Sequence, residues 1–386
     1  MIAPPDVTEG PKRPTTSPLR VVIAGGGLAG LETLFALRGL AGDRVALTLV
    51  APDDEFVYRP VAVGKPFAGG RNPKVLLSRA ARDGRATFVA ATIESVDPKR
   101  KIATSSEGDR LEYDALVVAV GAEAMPAVAN VVTWDDRSES EVLGGLLRDI
   151  EQGSTRLVAV LIPPGPGWAL RGYELALLVK READGMRVEI EMTIVTPEPP
   201  SLAKLGERAV ELVSNELKRA GVAVASAAYV DVVRDQKVAV VLLPSRNRLE
   251  VDRVLALPIL RGRPIPGIPA DRDGFVEIDD HCRVRGLEGV WAAGDCTARP
   301  VKSGRFAVEQ ADVAAEDVAA AASAAIEVRR FDPVLGEDVA ARPPGRFLEA
   351  WLGASDDLKI MHLPSTGVPV LTYVQRDLAA GWRGYG

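Results

Sequence analysis

The sequence predicts an α/β fold with two strand–turn–helix domains followed by a small C-terminal segment. Three observations predict it. A continuous apolar run, Val21–Ala24, leads through a glycine-rich turn into helical apolar spacing at Leu28, Leu31, Leu34 and Phe35. The same order of strand, turn and helix begins again near Arg156. The chain is 386 residues long and 47% hydrophobic, enough for two or three domains with buried cores.

In the first unit, an unbroken apolar strand is what the centre of a parallel sheet requires. Gly25, Gly27 and Gly30 then fit the spacing G-x-G-x-x-G, with Gly26, Leu28 and Ala29 filling the rest of the turn. Each glycine has a task. The first makes the tight turn, the second lets the backbone approach a diphosphate, and the third lets the helix pack on the strand. The helix start adds free N–H groups and a positive dipole end. A lone match to this spacing is weak. Placed between a strand and a helix, it predicts a Rossmann-like dinucleotide cradle.

The next strand is expected over Val45–Val50. A ribose-binding carboxylate is expected at its end, about twenty residues beyond the turn. Ala51 stands there, followed by Pro52. Asp53, Asp54 and Glu55 come next, and each reads equally well as a solvated loop carboxylate.

Composition excludes several classes. There are 47 Lys plus Arg against 53 Asp plus Glu, a net charge of -6, which disfavours nucleic acid as a partner. Cys282 and Cys296 allow no disulfide framework or zinc spacing, and His281 and His362 build no metal cage. No metal site is expected, and a reducing cytoplasm is the expected location. Residues 1–19 are rich in Pro and Thr without an apolar stretch, so they read as a disordered leader rather than a secretory signal. No run of about 18 apolar residues occurs, so no membrane span is expected; attachment to a membrane surface stays open.

Four pieces, in order, carry a family resemblance over roughly residues 20–325. The first is the glycine turn followed by Phe56–Pro60, with Arg59 inside it. The second is Tyr113–Ala124, YDALVVAVGAEA, a strand running into Ala119 and Gly121. The third is Gly286–Thr297, GLEGVWAAGDCT, with Gly294 and Asp295. The fourth is Pro300–Ala320, with Lys302, Ser303 and Gly304 before a long helix. Together they resemble the pyridine nucleotide-disulfide oxidoreductase superfamily. The resemblance is strongest to its type II NADH dehydrogenases, sulfide:quinone reductases and flavocytochrome c sulfide dehydrogenase flavoproteins. Val120 departs from the family pattern, where Thr is common.

The resemblance implies an FAD domain split by an inserted Rossmann-like domain. The divisions expected are 20–125 and 266–328 for FAD, 126–265 for the insertion and 329–386 for a C-terminal cap. It implies FAD bound by Gly25, Gly26, Gly27, Leu28, Ala29, Gly30, Ala51, Pro52, Arg59, Ala119, Gly121, Gly294, Asp295, Lys302 and Gly304. It places Lys302 and Ser303 beside the flavin ring as the catalytic pair. A cation and a helix N-terminus there would stabilise the negative charge of the reduced ring and raise its potential. A solvated surface lysine is the other reading of Lys302.

The second turn is degenerate. The strand Leu157–Ile162 leads through Pro163–Gly172 to a helix expected over Tyr173–Ala183. Gly165 and Gly167 fit the start of the pattern, but four residues separate Gly167 from Gly172 where two are wanted. Pro163, Pro164 and Pro166 carry no N–H, and Trp168 is bulky where a diphosphate would lie. Glu174 matches an acidic residue that follows the third glycine in NAD-binding members. Glu198, past the next strand, could accept a ribose hydroxyl and favour NADH over NADPH. NAD(P) therefore stands as a second candidate cofactor through Gly165, Gly167, Glu174 and Glu198, against a Rossmann domain that has lost its ligand. Sulfide-oxidising relatives have a similar loop and use no NAD.

Further along, Glu207–Ala220 reads as an amphipathic helix closed by Gly221. The runs KVAVVLLP and RVLALPIL read as strands returning to the first domain, and Pro264–Pro269 as a crossing segment. The redox cysteine spacings of the disulfide members do not occur, and no cysteine precedes Cys282. Cys296 reads as a small buried residue and Cys282 as a turn residue. Phe347, Leu348, Trp351 and Leu352 form one face of a helix expected over Pro344–Ala354, a core or dimer contact or a peripheral membrane contact on the cytoplasmic side.

The function these readings support is transfer of electrons from a small donor, NAD(P)H first, through FAD to a quinone-like acceptor. A sulfide:quinone reductase-type flavoprotein without its cysteines is the alternative, and a flavin-fold scaffold without turnover is the third.

Overall fold

The computed structural model describes residues 17–57, 74–129, 131–134, 139–167, 169–198, 207–234 and 238–331. Arg59, Trp168, the Pro344–Ala354 segment and nearly all of the proposed leader lie outside these. The strand β1 nevertheless begins at Leu19, inside the stretch read as leader.

Two five-stranded parallel sheets organise the chain. The first contains β1 (Leu19–Ala24), β2 (Val45–Ala51), β3 (Ala86–Ala90), β4 (Ala115–Val118) and a late strand β10 (Val290–Ala292). Their spatial order is β10-β4-β1-β2-β3, every pairing parallel. The second contains β5 (Val132–Thr133), β6 (Leu157–Leu161), β7 (Glu191–Val195), β8 (Val222–Ala225) and β9 (Arg253–Ala256). Its order is β5-β9-β6-β7-β8, again all parallel. In each sheet the strand that leads into the glycine turn, β1 or β6, lies at the centre with the next two strands to one side, the doubly wound arrangement.

The first sheet closes only when the chain comes back at β10, so the second sheet is an excursion from it. The outgoing strand Ala122–Met125 pairs antiparallel with the returning strand Ile259–Gly262, Ala122 opposite Gly262 and Met125 opposite Ile259. The expected run RVLALPIL is thus two elements: β9 completes the second sheet, and the strand Ile259–Gly262 makes the return.

The helices are α1 (Leu28–Ala41), α2 (Leu77–Asp83), α3 (Glu139–Glu151), α4 (Leu170–Gly185), α5 (Glu207–Ala220) and α6 (Gly304–Ala321). The helix expected to begin at Tyr173 begins three residues earlier, which places Gly172 inside α4. In the second sheet, β6 divides its side chains by strand alternation. Val158 and Val160 face the cluster with Leu175, Val179 and Val213 of the helices. Ala159 and Leu161 face Ala228, Val251 and Val254 on the other side.

That other side is covered by an antiparallel meander, Tyr229–Arg234, Val238–Leu243 and Asn247–Val251. The run KVAVVLLP is its middle strand, not a return to the first domain. A run of β-branched residues specifies a strand but not its direction or partner. A second meander, Ile93–Asp97, Ile102–Ser105 and Arg110–Glu112, precedes β4 and was not anticipated from the sequence.

Candidate active site

The first glycine turn is built by close approach. Gly25 has φ +121°, and a Cβ there would lie 2.1 Å from the Ala119 carbonyl oxygen. Its N–H donates to the Val50 carbonyl at 2.8 Å, fixing the turn to β2. A Cβ on Gly30 would lie 1.9 Å from the Gly25 oxygen, and one on Gly26 would lie 2.2 Å from Leu77 Cδ1. Gly27 differs: a Cβ there meets nothing within 4 Å. The turn is packed on three sides and open at Gly27. No side chain caps α1 and no acidic residue occupies its first turn, so the orphan N–H groups of a helix start face a site fit for an anion.

The other predicted segments converge on this turn. Ala29, Ala119, Ala293, Ala307 and Ala311 form one buried cluster, with at least one alanine from each of the four motif segments. Backbone bonds stitch the strand ends together: Ala119 N–H to the Ala24 carbonyl at 2.7 Å, and Ala293 N–H to the Val118 carbonyl at 3.0 Å. Gly294 has φ +84°, and a Cβ there would meet Ala29 Cβ at 3.1 Å. The Gly-Asp turn therefore lies against the start of α1. A Cβ on Gly304 would meet Leu28 Cδ2 at 3.1 Å, which sets the N-termini of α1 and α6 side by side. Ser303 Oγ caps α6, accepting from Phe306 N–H at 3.3 Å.

The Gly-Asp turn is braced from α6. Gln310 Oε1 accepts from Gly294 N–H at 2.7 Å and also contacts Thr297 Oγ1. Thr297 Oγ1 donates to the Gly294 carbonyl at 3.0 Å. Asp295 is half-buried within this turn. Gln310 was not singled out from the sequence; a buried amide in a helix otherwise rich in alanine is the signal that could have found it.

Lys302 is 5% exposed. Its ammonium donates to the Thr297 carbonyl and lies 3.9 Å from the centre of the Phe275 ring. Burial pulls it down to about 8, against the opposing pull of Asp295, Cys296 and Asp271. The solvated-lysine reading is thus set aside.

At the end of β2, Ala51 is buried and Pro52 and Asp53 are exposed. Asp54 accepts from Ser78 N–H at 2.6 Å and Ser78 Oγ at 2.7 Å, which holds it below the usual carboxylate range. Its carboxylate holds α2 in place. Gly121 has φ +70° at the exit from β4, with open space around it.

Cys296 Sγ donates to the Val118 and Ala293 carbonyls, each at 3.3 Å, and burial pushes its thiol up to about 12. Burial also pushes the Cys282 thiol far up, in a turn bounded by the Ile278–Val284 bridge. Both are packing residues. Asp279, Asp280 and His281 come close at the edge of this turn, but an Asp279 oxygen already accepts from His281 and Arg283 N–H, and Asp280 pairs with Arg330.

In the second turn, Gly165 has φ +112°, and a Cβ on Gly172 would lie 2.8 Å from Ile162 Cγ1. Gly165 thus has the positive φ of a first glycine, and Gly172 the helix–strand packing of a third. Gly167 does something else. Its N–H donates to the Pro300 carbonyl at 3.0 Å, and its carbonyl accepts from Lys302 N–H at 3.1 Å. The turn of the second sheet is docked on the strand segment that leads into α6. Glu174 is half-buried on α4, and Glu198 lies beyond the carboxyl end of β7, its N–H donating to Thr196 Oγ1 at 3.4 Å.

Two parallel sheets, each opening on a strand, a glycine turn and a helix, with a Gly-Asp turn closing over the first, define a two-domain dinucleotide-binding flavoprotein. The chain belongs to the pyridine nucleotide-disulphide oxidoreductase family, whose model matches residues 19–317. It is an FAD-dependent oxidoreductase. It is 25% identical over 292 residues to ferroptosis suppressor protein 1 of Taeniopygia guttata, covering 72% of this chain and 74% of that one. It is 29% identical over 191 residues to sulfide-quinone reductase of Aquifex aeolicus, 46% of this chain and 43% of that one. Among solved structures, the sulfide:quinone oxidoreductase from Aquifex aeolicus superposes with a TM-score of 0.70 at 20% identity, covering 78% and 76% of the two chains. No described helix is long and apolar enough to cross a membrane.

Proposed function

We propose that the protein passes electrons from NAD(P)H through FAD to a quinone-like acceptor. The reading places FAD on Gly25–Gly30, Ala51, Pro52, Arg59, Ala119, Gly121, Gly294, Asp295, Lys302 and Gly304. It divides the chain as the sequence suggests, with the FAD domain at 20–125 and 266–328 around an inserted domain at 126–265. The observation that carries it is the meeting of all four motif segments in one alanine cluster beside an open helix start.

Bound FAD supplies the redox chemistry, taking two electrons from a donor and giving them to an acceptor. The chain's own residues do the rest. The starts of α1 and α6 offer N–H groups and their positive ends to the diphosphate and to the negative charge of the reduced ring. Ser303 keeps the first turn of α6 formed. Gln310 and Thr297 hold the Gly-Asp turn where Asp295 can reach the ribityl chain.

The donor reading rests on the second sheet, with Gly165, Gly167, Glu174 and Glu198 as the candidate contacts. It is supported by the positive φ of Gly165 after the central strand and by Glu198 beyond the carboxyl end of β7. The quinone-like acceptor is carried over from the sulfide-quinone reductase relative, and such an acceptor would suit a cytoplasmic protein attached peripherally to the membrane.

A second reading, an NAD-independent flavoprotein with another small reductant, is favoured by one observation. The Gly167 N–H that would bind a diphosphate is held by Pro300. Anaerobic titration of the yellow protein with NADH separates the two. Bleaching of the flavin band within the turnover time supports the nicotinamide donor. A band that ignores NADH and NADPH but bleaches with sulfide or another small reductant selects the second reading.

A further inference from the structure

The second sheet has a topological switch point of its own. Its order, β5-β9-β6-β7-β8, sends β7 and β8 to one side of β6 and β9 to the other. In open α/β sheets a ligand sits outside the carboxyl ends of the strands at such a point. In the first sheet the equivalent point lies between β1 and β4, where Gly25 meets Ala119.

Two side chains meet across the second point. Arg171 is half-buried in the first turn of α4, the helix that follows β6. Trp134 comes directly after β5, and its backbone N–H donates to the Ala256 carbonyl at the end of β9, at 2.8 Å. The Arg171 guanidinium carbon lies 4.6 Å from the centre of the Trp134 ring. The ends of β6 and β9 are tied there, Leu257 N–H donating to the Leu161 carbonyl at 2.9 Å. A Cβ on Gly172 would meet both Ile162 and Leu257, so α4 starts against both strands.

The turn before α4 offers an anion little. Pro163, Pro164 and Pro166 have no N–H, and the Gly167 N–H is engaged by the Pro300 carbonyl. The helix start differs. No side chain caps α4 and no acidic residue occupies its first turn. A cation there sits at the positive end of the helix, an unfavourable place unless an anion joins it. Trp134 gives an independent sign of an occupant. Its side chain is fully buried, and its indole N–H has no hydrogen-bond partner among the described residues, although a buried tryptophan N–H usually has one.

We propose that Arg171, held over the Trp134 ring, is the anion-binding group of the second site, supplying to a diphosphate the charge and the donors that the proline-rich turn lacks. Arginine suits the task. It stays charged at any working pH, and its planar fork matches phosphate oxygens. The ring beside it fixes where the fork points, and the indole N–H adds a neutral donor at the ring edge. Arg171 deepens the NAD(P)H reading, on which the choice of ligand rests: the anion is the diphosphate of the nicotinamide dinucleotide. Glu198, beyond β7, then serves the ribose.

Calorimetric titration of the FAD-loaded protein with ADP-ribose is the test, since ADP-ribose carries the diphosphate without the redox ring. Wild type is expected to bind it, with an affinity that falls as salt rises. Arg171→Met is expected to bind at least about tenfold more weakly. Arg171→Lys, which keeps the charge and loses the fork, is expected between the two. Should Arg171→Met fail to fold, Arg171→Gln, which loses the charge and stays polar, takes its place on the same criterion. A wild-type protein that does not bind ADP-ribose overturns the proposal. So does an Arg171→Met protein that binds as wild type does. An Arg171→Lys protein as weak as Arg171→Met also overturns it, because the loss would then be one of packing rather than charge. Anaerobic bleaching by NADH keeps the donor reading separate. Wild type that binds ADP-ribose through Arg171 yet ignores NADH and NADPH refutes that donor and leaves the anion site standing. Bleaching of Arg171→Met at wild-type NADH concentrations does the reverse.

Discussion

Alanine at Gly27 and at Gly30, made one at a time, separates what the first turn does for packing from what it does for a ligand. At Gly30 the new Cβ would sit 1.9 Å from the Gly25 oxygen and 3.0 Å from its carbon. Both are backbone atoms, so no rotamer change relieves the overlap. Ordinary contact is about 3.5 Å, so α1 must back away from β1 by roughly 1.5 Å. Leu31, Leu34 and Leu37 on that helix are fully buried and move with it. Overpacking of this kind costs about 3 kcal/mol, or a fall of roughly 6–12 °C in Tm for a domain of this size. At Gly27 nothing lies within 4 Å. Losing glycine for alanine at a helix cap costs up to about 1 kcal/mol, so the cofactor-free protein loses far less Tm than Gly30→Ala does. The methyl instead stands in the open face of the turn. FAD affinity is expected to fall at least about tenfold, or about 1.4 kcal/mol. Calorimetric melting of the apoproteins and titration with FAD read the two effects separately. A Gly27→Ala protein with wild-type FAD affinity refutes the placement of the diphosphate. A Gly30→Ala protein with an unchanged Tm refutes the packing argument.

Three more outcomes follow from the same contacts. Gln310→Leu removes the acceptor of Gly294 N–H and loosens the Gly-Asp turn; FAD titration should show a loss of about tenfold, about 1.4 kcal/mol, with a smaller change in apoprotein Tm. Asp317→Ala removes a buried acceptor shared by Arg283 Nε at 2.5 Å, Arg283 Nη2 at 2.6 Å and Trp291 Nε1 at 2.8 Å; urea unfolding should show a loss of about 2–3 kcal/mol, much of it from the stranded Trp291 donor. Cys296 has a thiol pushed up to about 12, so iodoacetamide at about pH 8 should label it only after unfolding, and Cys296→Ala should keep wild-type turnover; rapid labelling of the native protein would contradict its burial.

What the sequence disclosed and what it hid have a physical dividing line. The first turn was legible because backbone contacts closer than a Cβ permits leave glycines behind, and Gly25 and Gly30 are two such contacts. The parallel sheets were legible because fully buried strands read as unbroken apolar runs. Side-chain direction leaves no such trace. Nothing in the letters told a buried Lys302 from a solvated one, or an Asp54 that anchors Ser78 from one that waits for a ribose. The middle strand of the meander was recognisable as a strand, while its partners were not, since pairing is set by residues far away in sequence. The early start of α4 was hidden because Gly172 reads as the end of a loop, whereas in the fold it is the point where the helix touches Ile162.

The second turn is where topology and function part. In both sheets the central strand has its next two strands to one side, and each central strand delivers its chain to a glycine with positive φ, Gly25 in one and Gly165 in the other. From there the amides diverge. Between Gly25 and Gly30 every residue keeps its N–H. Between Pro163 and Gly167 three residues are proline, and the Gly167 N–H points across to Pro300. A phosphate cradle works by aiming several N–H groups at one point, and here the available donor is aimed at the partner domain. The docking braces the segment that carries Lys302 and Ser303 into α6, whether or not a nucleotide binds at the second turn. A dinucleotide at the second site would have to be held by groups outside this turn, with Glu198 beyond β7 the best placed of them. The NADH titration therefore tests the donor separately from the flavin.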